Sequence, residues 1–117
     1  MMKTIRVHAN SPLKLFVKIS SEAVVGSYVS LDDQVVKRSG LYDFNVDLGN
    51  SNDIAGSQLS GASNFFVALG DADAIRKQTK VLYVLKWAEA EEEFGGDVVK
   101  INDSIFMAYF VVKLINI

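Results

Sequence analysis

No cysteine occurs in the 117 residues. Disulfide staples, thiol nucleophiles and cysteine-ligated zinc are excluded with it. Histidine is almost as scarce, with His8 the single example. A two-histidine metal site or a Cys–His pair therefore cannot form within one chain. His8 shares the polar side of an alternating segment with Arg6 and has no acid placed to orient it, so it reads as a surface or interface residue. The one proline, Pro12, lies inside Ser11-Pro12-Leu13-Lys14. That stretch has the S-x-x-K spacing of serine acyl-enzymes, which brings the two side chains together only on a helix. The alternation after Pro12 predicts a strand, where they diverge, so the spacing is a chance match. Gly56 and Gly61 have P-loop spacing, but Ala62 stands where the phosphate-binding lysine belongs. No G-x-S-x-G is present.

Long apolar runs are missing too. The longest, IFMAYFVV at residues 105–112, falls well short of the ~20 residues a membrane helix needs. Charged residues interrupt MMKTIRVHANSPLKLFVKIS, so no signal peptide is expected there. The expectation is a protein without a transmembrane segment, cytoplasmic or assembled into a particle. Nor is there a basic excess: the net charge is −2. Phe16 between Lys14 and Lys18 is a single aromatic, too little for a base-stacking platform. Neither nucleic acid nor membrane is expected as a partner.

What is present is apolar and alternating. Half the residues are hydrophobic and 22% are charged. That composition argues against disorder and suits one domain over residues 1–117. LYDFNVDL sets Tyr42, Phe44, Val46 and Leu48 against Asp43, Asn45 and Asp47, the period of a half-buried strand. KTIRVHA, LKLFVKI, VVGSYVSL, QVVKR, NFFVAL and TKVLYVLKW read as further strands. SIFMAYFVV is apolar on both sides and predicts a central strand covered on both faces. Clusters of Gly, Asn, Asp and Ser at 9–12, 19–23, 31–33, 38–40, 49–53, 94–97 and 101–103 mark turns. Residues 49–63 read as a long loop. Asp71 can cap DADAIRKQ, so one short helix is expected near 71–78.

The pattern predicts an all-β fold: an antiparallel β-sandwich of about eight strands, jelly-roll or immunoglobulin-like. The expected core holds Ile5, Val7, Leu15, Val17, Tyr42, Phe44, Val46, Leu82 or Tyr83, Phe106, Phe110 and Val112.

Charge is uneven along the chain. WAEAEEEFGGD carries Glu89, Glu91, Glu92, Glu93 and Asp97 with no base, whereas residues 1–21 carry Lys3, Arg6, Lys14 and Lys18 with no acid. Crowded glutamates must be solvated or compensated. The alternation predicts a strand running out into a solvated loop after about Glu91. Acids at a strand end also discourage stray edge pairing. If the two charged regions lie on different surfaces, copies of the chain can associate through them.

The oxygen-rich turns offer one alternative chemistry. Asp47, Asn50, Asn52, Asp53, Asp71 and Asp73 are the residues that would hold calcium, though none fits an EF-hand spacing; otherwise no cofactor is expected. With so thin a catalytic inventory, the expected function is non-enzymatic. The chain is expected to be a structural or assembly protein that self-associates as a homo-oligomer or binds another protein, as virion decoration, tail or appendage subunits do. The alternative is a small binding module whose end loops, 49–63 and 89–97, hold a glycan, peptide or calcium.

Overall fold

The alternating segments become strands. The computed structural model describes residues 3–116, apart from the side chain of Asp97. It contains β1 (Lys3–Val7), β2 (Pro12–Ser20), β3 (Val24–Leu31), β4 (Gln34–Ser39), β5 (Phe44–Asn50), α1 (Ser51–Ile54), β6 (Gln58–Phe66), α2 (Ala72–Gln78), β7 (Lys80–Trp87), β8 (Ala90–Gly95), β9 (Asp97–Lys100) and β10 (Ile105–Asn116). The all-β sandwich is present, with ten strands rather than eight.

The strands form two sheets. One runs β5-β2-β7-β8; the other runs β1-β10-β6-β3-β4, with β9 also on β10. In the six-stranded sheet, β10 pairs with β6 on one side. On the other it pairs first with β9, along Phe106–Tyr109, and then with β1, along Val112–Asn116. The β1–β10 pair is parallel, so the sandwich is not wholly antiparallel.

Between the sheets, alternate residues of every long strand interlock. Leu13, Leu15, Val17 and Ile19 of β2 face Phe106, Ala108, Phe110, Val112 and Leu114 of β10 across one continuous core. Tyr83, Phe94 and Phe110 form an aromatic cluster with ring centroids 4.3–5.5 Å apart, and Phe65 stacks on Phe106 at 4.7 Å. Gly61 makes room for that cluster. A Cβ there would lie 2.5 Å from the Phe110 ring and 3.0 Å from the Tyr28 carbonyl oxygen.

Four expectations need correction. Residues 49–63 are not a long loop: β5 runs to Asn50, α1 follows, and β6 starts at Gln58. The buried Ser51 explains the compactness. Its Oγ donates to the His8 carbonyl at 2.7 Å and accepts from Ser11 N at 3.0 Å, pinning α1 against the β1–β2 connection. This makes a second short helix beside α2, whose expected cap by Asp71 is present. Residues 90–95 are not a loop but the strand β8. Tyr42 is not core: it precedes β5, is 41% exposed and donates its hydroxyl to the Ala23 carbonyl at 2.6 Å. Leu82 is half-buried on the outer side, so Tyr83 takes the core place. Every other expected core residue is buried.

Candidate interaction surfaces

The acidic run pairs inside its own chain. Ala88 and Glu89 form the two-residue turn between β7 and β8, and Ala88 has φ 49°. β8 then lies along β7 with Glu91 opposite Lys86, Glu92 opposite Leu85 and Glu93 opposite Val84. Glu91 meets Lys86 at 3.9 Å. The same Lys86 ammonium sits 4.7 Å from the centre of the Phe16 ring, a cation–π contact. Glu92 shares the inner side of β8 with Phe94, at the sandwich margin. Its Oε2 is buried, and Lys3 Nζ approaches it at 3.4 Å across the gap between the sheets. Glu89 and Glu93 are exposed. The Asp97 side chain lies outside the described residues.

The basic residues do not make one patch. Lys3 and Arg6 belong to β1 of the six-stranded sheet. Lys14 and Lys18 are on β2 of the four-stranded sheet, where Lys14 pairs with Asp47 at 3.4 Å. The outer face of the four-stranded sheet is thus a mixed field: lysines on the two central strands, acids on the flanking ones.

All but one of the oxygen-rich turn residues have partners within the chain. Asp47 holds Lys14. Asn50 caps α1 through Asn52 N, and Asn52 Oδ1 accepts from Asn10 N at 2.8 Å. Asp71 caps α2. Asp73 lies near Arg76 and Lys100, at 3.4 and 3.6 Å. The Lys100 charge, helped by Arg76, holds the Asp73 carboxyl below the usual range. Asp53 is exposed. Among the described residues, no three His, Asp or Glu side chains gather as a metal would require. No helix there is long and apolar enough to cross a membrane.

The surface that sequence reasoning missed is the outer face of the six-stranded sheet. Ile105, Met107, Tyr109 and Val111 of β10 point outward. Register sets Phe66 and Val24 beside Ile105, Asn64 and Gly26 beside Met107, and Ala62 and Tyr28 beside Tyr109. Val99 of β9 flanks Met107 on the other side. Val24 is 64% exposed, Phe66 46% and Val111 37%, and none of the described residues covers them. A groove of about 470 Å³ crosses this face over Gly26, walled by Tyr28, Arg38 and Asn64. The expectation that β10 is covered on both sides is thus corrected: the fold covers one side only. The signal was in the sequence, since IFMAYFVV is apolar at outward as well as inward positions.

No family model matches the chain, and neither a curated protein nor a solved structure matches it.

Proposed function

We propose that the protein is a non-enzymatic structural subunit that works by self-association, in the manner of a virion decoration, tail or appendage subunit. One observation carries the reading. Along β10 one side is buried in the core while the other is only partly covered, and that side continues onto β3, β6 and β9 as a largely apolar surface. A sheet face of this kind is typical of a contact awaiting its second layer. The charged outer face of the four-stranded sheet, with its internal ion pairs, has no such need. The end-loop alternative has less to stand on, because 49–63 and 89–97 are mostly regular structure.

The finer fold assignment belongs with this reading. The neighbours β2–β5 in one sheet and β3–β6 in the other, joined by the crossings β2 to β3 and β5 to β6, favour an immunoglobulin-like topology over a jelly roll.

The test is light scattering behind size exclusion at two concentrations, in low and high salt. The expected result is a discrete oligomer at the higher concentration that persists in high salt, since apolar contacts are not screened. A 12.9 kDa monomer under every condition would sink the reading.

A further inference from the structure

Self-association does not by itself fix how two copies meet, but the outer face has a direction. We propose that two copies stack the outer faces of their six-stranded sheets about a two-fold axis passing close to Ala108, with their β10 strands antiparallel. This rests on the self-association reading above and names the surface and geometry it uses.

The first argument is charge. The outward residues of β10 are Ile105, Met107, Tyr109, Val111 and Lys113. Asp103 stands fully exposed in the bend just before the strand, 3.6 Å from Lys100. An apolar stretch centred on Ala108 therefore has an acid beyond one end and a base at the other. A half-turn about Ala108 lays Ile105 over Val111 and Met107 over Tyr109, and brings Asp103 of one copy to the end that carries Lys113 of the other. The neighbouring elements repeat this polarity only in part, since Lys100 lies beside Asp103, and Asp32 and Asp33 of the β3–β4 turn lie near Gln58, the partner of Lys113. Glu22 precedes β3 and Asp71 follows β6 at the Asp103 end, whereas Arg6 on β1 stands beside Ile115 at the Lys113 end. Parallel stacking about an axis along β10 would instead set Lys113 against its own copy. Like charges so placed disfavour an interface and opposite ones orient it.

The second argument is shape. A groove lies over Gly26, walled by Tyr28, Arg38 and Asn64, and the half-turn level with Ala108 brings Tyr28 of one copy to Gly26 of the other. A two-fold operation returns ridge to hollow on both copies, the self-complementarity that an isologous contact requires. The third argument is area. Strands ~4.8 Å apart with ~3.4 Å per residue give the apolar part of this face roughly 500 Å². Two copies then bury roughly 1,000 Å², the lower bound for a specific interface. Stacked sheets keep strand directions within ~30° and lie ~10 Å apart, so the antiparallel β10 pair is an ordinary packing.

Sedimentation velocity over a concentration series tests this on the full chain, with circular dichroism confirming that each variant folds. Met107→Glu puts an unpaired charge at the centre and is expected to raise the dimer dissociation constant by at least ~100-fold. Asp103→Lys and Lys113→Asp are each expected to raise it by about tenfold. The double variant, Asp103→Lys with Lys113→Asp, is expected to return within about threefold of the parent, because the pair meets across the interface. Glu93→Lys, on the opposite outer face, is expected to leave it unchanged. A parent chain that associates while Met107→Glu does so equally well overturns the proposed surface and leaves self-association standing. Single reversals that weaken association without rescue by the double variant overturn the antiparallel geometry. A parent that never associates removes the reading beneath both.

Discussion

At the residue scale, the core is uniform except where polar atoms enter it. Tyr83 is the largest fully buried side chain of the sandwich, and its hydroxyl has no hydrogen-bond partner among the described residues. Burial pushes its phenol well above the ordinary value of 10.0, and the Ser63 hydroxyl close by, short of hydrogen-bond geometry, pulls the other way. A raised folded-state value means the folded chain holds this proton after the unfolded chain has lost it. Stability is then fully present below the unfolded value and falls as pH rises past about 10. Urea denaturation at pH 8 to 11 is expected to show that decline, and Tyr83→Phe to flatten it. Because the hydroxyl is unpaired, Tyr83→Phe is also expected to be neutral or stabilising at pH 7, by up to about 1 kcal/mol. A loss above about 2 kcal/mol would show that the hydroxyl is bonded after all. Inward residues were legible because alternation reports them directly. Tyr42 was misread because alternation does not mark where a strand begins. Asp43 turns its Oδ1 to Ile19 N at 3.1 Å, and the chain bends before Phe44.

At the element scale, the acidic strand β8 was the least legible part. Four glutamates in five residues look like solvated loop when each is weighed alone. In the sheet Glu91 is compensated by Lys86 across the hairpin and Glu92 by Lys3 from the other sheet, while Glu89 and Glu93 stay in solvent. Cross-strand partners of this kind are invisible to local pattern. The β7–β8 turn is the weak point of the element. Ala88 occupies φ 49°, which a Cβ disfavours and which two-residue hairpin loops ordinarily give to glycine or asparagine. Ala88→Gly is expected to stabilise the chain by about 0.5–1 kcal/mol in chemical denaturation. A lower midpoint would mean that the turn carries no strain. By contrast, the Leu31–Gln34 hairpin was read correctly, because its Asp32-Asp33 pair tolerates the positive φ values of 47° and 69°.

At the scale of the whole molecule, the sandwich extends 47 × 25 × 22 Å. It presents two long outer faces of unlike character, one striped with lysines and acids, the other apolar. The sequence carried the class of fold because period-two alternation pervades it. It did not carry the pairing order, which depends on contacts far apart in the chain, or the strand count. The candidate surface was half legible. The apolar outward positions of β10 were visible, and the strand was expected to be covered on both faces. On the proposal above, the second layer over that face comes from another copy of the chain. Hydroxyl-radical footprinting across a hundredfold range of protein concentration tests it most directly. Phe66, Met107 and Tyr109 are expected to become protected as concentration rises, while Phe16 and Leu82 on the opposite face stay equally reactive. Unchanged reactivity of the first three at every concentration, or protection confined to the second pair, would contradict it.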